Sequence, residues 1–140
     1  MGDTTVRMHA LVMDCAEFEG QSAFWRAALG YVDWFAPFGQ FVGIRPPVED
    51  GRLPIIFQRV PEPKAGKNRV HMDYETTAMA AEVRRLTGLG ATAIAVRDLG
   101  PDTRWTVMAD TEGNEFCVTQ AAGAGSSVEP AADPGDRRPG

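Results

Sequence analysis

The sequence has little of what would commit a protein to an oxidising compartment, a membrane or a nucleic acid. It holds two cysteines in 140 residues, Cys15 and Cys117. That is too few for a disulfide framework, and both are compatible with a reducing compartment. No apolar run reaches the length of a membrane span, and the N-terminus lacks the basic-then-apolar layout of a secretory signal. Basic charge is scarce: 14 Lys and Arg stand against 19 Asp and Glu, for a formal net charge of -5. A phosphate backbone calls for a concentrated basic surface, so nucleic acid is not expected as a partner, nor is a membrane. The densest basic group, Lys64, Lys67 and Arg69, suits a small anion or is simply a solvated loop. The expectation is a cytoplasmic protein.

What is present suits a globular fold with a proper core, since 44% of residues are hydrophobic. One stretch organises the rest: Arg69-Val70-His71-Met72-Asp73-Tyr74-Glu75 alternates ionisable and apolar residues. As a strand it would carry four ionisable groups on one face, looking into water or into a pocket.

Before this stretch, residues 6–15 read as a strand, and residues 16–20 as a turn with acidic residues where a helix starts. Phe24, Trp25, Ala28 and Leu29 have helical spacing over residues 21–29, and Gly30 is placed to end that helix. Strands follow at 31–35, 38–45 and 53–60, and prolines and glycine make 61–67 a loop.

After it the order repeats. The spacing predicts a strand at 69–75, a helix from Thr76 or Thr77 to about Leu89, and strands at 91–97, 103–109 and 115–120. The helix endings match, Ala28-Leu29-Gly30-Tyr31 against Gly88-Leu89-Gly90-Ala91. Two tandem βαβββ units are the result, module one at 6–60 and module two at 69–120. Residues 1–5 read as a loose end, and the Ala, Gly, Ser, Pro and charge of 121–140 as a disordered tail.

Three segments carry a likeness: Ser22-Ala23-Phe24-Trp25-Arg26-Ala27-Ala28-Leu29-Gly30, Asn68-Arg69-Val70-His71-Met72-Asp73, and Trp105-Thr106-Val107-Met108-Ala109-Asp110-Thr111-Glu112-Gly113-Asn114-Glu115-Phe116. In this order they resemble the glyoxalase/bleomycin-resistance (vicinal oxygen chelate) superfamily, in its glyoxalase-like bacterial branch. The resemblance implies an α+β fold of two tandem βαβββ modules forming a curled mixed sheet around a cavity, with helices outside. It also implies a homodimer and a small-molecule ligand.

Metal-using members of that superfamily take ligands from the first strand, the start of the second module and the last strand. Carried onto this chain, those positions fall on Ala10, His71 and Cys117. His9 neighbours Ala10 but faces the other way on a pleated strand. One of three recognisable ligands is matched, so the resemblance implies no metal cofactor. If one is present it involves His71, with Zn, Ni, Mn or Fe as the alternatives.

The ligand-binding candidates are His71, Asp73, Arg69, Trp105, Cys117, Glu115, Trp34 and Phe41. Asp73 lies two residues beyond His71, on the same face if both are in a strand, where a carboxylate would raise the basicity of the imidazole. His71 is either a cavity contact, a general base, or a buried histidine satisfied by Asp73. Arg69 on that face would favour an anion, whereas Asp14 and Glu115 would favour a cation. Cys117 is a nucleophile or a small packing residue. Trp105 and Trp34 stack on a flat ligand or pack, and Phe35, Phe38 and Phe41 fit a cavity mouth. The expected function is a metal-independent, small-molecule-binding protein of drug-sequestering or resistance type. The alternative is a metal-dependent glyoxalase-type lyase, isomerase or dioxygenase.

Overall fold

The computed structural model describes residues 2 and 4–122, and most of the expected tail lies outside the described residues. The element order is β1 (Leu11–Cys15), α1 (Phe18–Leu29), β2 (Val32–Phe38), β3 (Phe41–Arg45) and β4 (Ile55–Arg59). It continues with β5 (Asp73–Thr76), α2 (Met79–Gly88), β6 (Thr92–Asp98), β7 (Arg104–Ala109) and β8 (Glu115–Gln120). The fold is α+β, βαβββ twice. Each repeat forms its own four-stranded mixed sheet, ordered β1-β4-β3-β2 and β5-β8-β7-β6. In each, the first strand runs parallel to the fourth and the remaining pairs are antiparallel. The chain divides into two compact units after Pro63. Among the described residues no helix is long and apolar enough to cross a membrane.

In the first unit, α1 begins at Phe18 because Glu17 caps it: the carboxylate accepts from the amides of Glu19 (2.6 Å) and Gly20 (2.8 Å). That satisfies two amides left over at the helix start and places negative charge there. Gly30, at φ 68°, closes the helix in the left-handed region. The helix buries Gln21, Ser22, Phe24 and Trp25, each large aromatic contributing about 2–3 kcal/mol. The strand positions buried with them are Met13, Val42, Ile44, Ile55 and Phe57. Strand β1 is shorter than residues 6–15. Its pairing starts where the Leu11 amide bonds the Pro54 carbonyl, and Pro54 has no N–H to carry the ladder further back.

In the second unit, α2 starts without a cap from its own N-cap residue, Ala78. Gln120 at the end of β8 serves instead: its Oε1 accepts from the Met79 amide (3.0 Å), and its Nε2 donates to the Thr77 carbonyl (2.9 Å). The turn into β8 is built around buried Asp110, whose Oδ1 accepts from the amides of Glu112 (2.9 Å) and Asn114 (3.0 Å). Gly113, at φ 87°, supplies the positive φ this turn requires.

The stretch expected as one strand over 69–75 is strand only from Asp73. Residues upstream of it are held by a side chain rather than by a ladder. The Asn68 amide donates to Glu115 Oε2 at 2.9 Å, and Asn68 Nδ2 donates to the Glu115 carbonyl at 3.4 Å. Backbone pairing resumes where the Cys117 amide donates to the Met72 carbonyl at 3.0 Å.

Candidate functional site

Paired residues on neighbouring strands point to the same side of a sheet. Across the second sheet, Tyr74, Val118 and Thr106 form one row. Gln120, two residues beyond Val118, reaches the start of α2, so this is the helix side. Tyr74 packs edge-on against Phe116 there, with ring centroids 6.1 Å apart. The other side carries Asp73, Cys117 and Val107 in one row and Glu75, Thr119 and Trp105 in the next.

On that helix-free side the sequence candidates converge. His71 Nε2 lies 3.3 Å from Asp73 Oδ1, with the two side chains 19% and 34% exposed. One donor atom each from His71, Asp73 and Cys117 falls within 4.8 Å of the others. Cys117 is buried and clusters with Trp105 and Val107. One row on, the Thr119 hydroxyl oxygen is buried with no hydrogen-bond partner among the described residues. A buried polar atom left unbonded is costly, and such atoms are rare in a finished fold.

Nitrogen, oxygen and sulfur donors together suit zinc-class ions, which take three protein ligands and leave a fourth position for water or substrate. Tetrahedral zinc needs donors about 3.5 Å apart, so the trio must close by about 1 Å, within reach of side-chain rotation at His71 and Asp73. These residues fit such an ion. The thiol makes them a poorer match for manganese or magnesium, which prefer oxygen.

Glu115 is engaged elsewhere. It pairs with Lys64 at 2.9 Å and accepts from the Asn68 amide at 2.9 Å, with the ion pair at the surface and partly covered. Lys64 also donates to the Gly66 carbonyl. Burial pushes the Glu115 carboxyl up, but the Lys64 hydrogen bond and the Asn68 amide outweigh it and leave the group below its ordinary value. Glu115 therefore braces the loop that leads to His71. Arg69 is exposed and lies outside the strand, so strand alternation does not place it with His71.

Trp34 and Phe41 belong to the first unit. Trp34 meets His9 and Phe35 edge-on, at 5.8 and 5.4 Å between centroids. It walls a recess of about 760 Å³ with Arg45 and Arg52. Phe41 lies at a second, apolar recess with Phe35 and Phe38. Sequence reasoning named Asp73 as a ligand contact on the face of His71 and did not single out Thr119. Asp73's place beside Cys117 depends on strand register. The period-two spacing from Cys117 to Thr119 was the available signal for the second residue.

Comparison with known proteins follows the same lines. The sequence profile of the glyoxalase-like domain matches residues 10–119. A search of curated protein sequences gives no match. Among solved structures, the chain is similar to a glyoxalase/bleomycin resistance protein/dioxygenase family enzyme from Burkholderia phytofirmans. The TM-score is 0.64 and the identity 18%, covering 79% of this chain and 94% of the other. It is also similar to the fosfomycin resistance protein FosX from Listeria monocytogenes, solved with Mn(II) and 1S,2S-dihydroxypropylphosphonic acid. There the TM-score is 0.70 and the identity 10%, covering 85% and 93%. FosX from Mesorhizobium loti gives 0.67 and 11%, covering 85% and 95%. At these identities the likeness is one of fold. The profile match spans most of the sequence, and the chain belongs to the glyoxalase-like domain family.

Proposed function

We propose that this chain binds a small molecule on the helix-free side of its second sheet, with His71 and Asp73 fixing the ligand's orientation. The observation that carries the reading is the convergence of His71, Asp73 and Cys117 within 4.8 Å. The buried, unbonded Thr119 hydroxyl on the same side supports it, because a ligand polar group would satisfy that oxygen. With Nε2 turned to Asp73, His71 has Nδ1 left for a ligand. Trp105 and Val107 supply apolar surface beside it, as small-molecule sites require. The fosfomycin resistance proteins that share the fold make a resistance-type role the form we favour. A homodimer belongs to the same proposal, on the strength of the resemblance.

The donor set favours a second reading, in which His71, Asp73 and Cys117 hold a zinc-class ion. Such an ion would supply Lewis-acid polarisation of a ligand oxygen. The Trp105 and Val107 side chains would limit water at Cys117.

Metal content separates the two. Untagged protein is loaded with Zn, Ni, Mn or Fe(II), dialysed and analysed for bound metal. About one zinc per chain, lost in His71→Ala and Cys117→Ser, establishes the second reading. No retained metal under any condition leaves direct binding, and manganese retained in preference to zinc would contradict the donor argument.

A further inference from the structure

We propose that residues 64–71 form a strap that opens and closes over the candidate site, and that Glu115 is its catch. The inference deepens the reading above by naming what controls access to that site, and it rests on His71 belonging there.

The strap lies within the second unit and holds no helix or strand, since β5 begins only at Asp73. It is held at two points. Upstream, the Lys64 ammonium pairs with Glu115 Oε1 at 2.9 Å and also donates to the Gly66 carbonyl. The Asn68 amide donates to the other carboxylate oxygen at 2.9 Å, and Asn68 Nδ2 reaches the Glu115 carbonyl at 3.4 Å. Downstream, the Met72 carbonyl accepts from the Cys117 amide at 3.0 Å, where the sheet takes over. Between these points Arg69, Val70 and His71 form no backbone hydrogen bond among the described residues. Val70 is 76% exposed. A span with exposed side chains and no ladder opens at lower cost than the sheet beside it.

Upstream of His71, each hydrogen bond that leaves the strap among the described residues ends on Glu115. His71 itself meets the sheet through Asp73 at 3.3 Å, and its imidazole lies within 4.8 Å of the Cys117 sulfur. That thiol is buried, and the half-buried His71 is part of its cover. When the strap lifts, His71 leaves with it and the thiol is uncovered. Opening therefore dismantles the site without unfolding the sheet, and a ligand bonded to His71 would favour the closed state.

Thiol labelling tests this with neither ligand nor metal, so it stands or falls apart from the binding reading. The full chain is treated with N-ethylmaleimide, and each cysteine is followed by peptide mass spectrometry at increasing urea. Cys117 should react by local opening, at a rate that stays flat at low urea, whereas labelling through unfolding climbs with urea from the start. Glu115→Ala should raise the Cys117 rate about tenfold, the scale of losing a hydrogen bond to a charged group. Lys64→Met, which carries the test if Glu115→Ala does not fold, should raise it about threefold. Cys15, in the first unit, should keep its rate in both. Gln120→Ala is the control, because it weakens the start of α2 without touching the strap. It should leave the low-urea rate of Cys117 unchanged. Equal acceleration in Gln120→Ala and the strap variants, or a Cys117 rate that climbs with urea throughout, would show the unit opening as a whole and overturn the strap. An unchanged Cys117 rate in Glu115→Ala and Lys64→Met would overturn it too.

Discussion

Glu115 and Lys64, 51 residues apart, meet at 2.9 Å and tie the start of the last strand to the loop that leads into His71. The same carboxylate takes the Asn68 amide, so one side chain fixes two points of that loop. A side chain in this position sets where the candidate site begins without belonging to it.

The Glu115 carboxyl is held below its ordinary value of 4.5 in the folded chain. As pH falls, the unfolded state therefore takes up this proton first. The stability Glu115 contributes is full above the unfolded value and is lost as pH drops through the folded one. Glu115→Gln should cost about 1 kcal/mol at neutral pH and flatten the acid limb of the stability curve below about pH 4.5. Urea melts of both proteins between pH 3 and pH 7 check this, and parallel curves would contradict it.

Gly43 and Phe35 share one space in the first sheet. Gly43→Ala should destabilise by about 1–2 kcal/mol, because the added methyl forces the Phe35 ring to move. The double variant Gly43→Ala with Phe35→Leu should recover part of that loss. A double-mutant cycle by chemical denaturation reads the coupling, and simple additivity would show that the ring is not the obstacle.

Gln120 caps α2 across a gap of 41 residues. Gln120→Ala should cost about 1 kcal/mol, the usual scale for losing a helix cap. Hydrogen exchange would show the loss concentrated at the first turn of α2, and uniform loosening of the second unit would count against the cap.

The repeat was legible because strand and helix periods, and the glycines that end both helices, are local signals. Strand β8 was placed at its observed bounds, since the Asp110-to-Asn114 turn fixes its start. The bounds of β2 and β3 moved for a local reason, the hairpin turn at Gly39 and Gln40 that pairs Phe38 with Phe41, whereas those of β1 and β5 moved for non-local ones. Strand β1 stops at the register of Pro54, and β5 is shortened where the Glu115 side chain stands in for a ladder. In the site, the two-residue spacing of His71 and Asp73 could be read directly. Their approach to Cys117 could not, because it depends on which residue of β8 lies opposite Asp73. The engagement of Glu115 by Lys64 was equally hidden by distance along the chain, and so was the unbonded state of the Thr119 oxygen.

The strand order within each sheet has a consequence for how the chain is made. Among the described residues, strand β1 pairs with β4 alone and β5 with β8 alone. During synthesis each unit's first strand thus emerges well before the strand that will receive it. Leu11, Val12 and Met13 await Ile55, Ile56 and Phe57, more than forty residues later. Hairpins β2–β3 and β6–β7 can close as soon as they are made, while the long-range parallel pairings come last and set the pace. The ribosome-bound chain therefore passes through a stage in which an apolar strand lacks its neighbour, and each unit can complete its sheet only after its fourth strand has emerged.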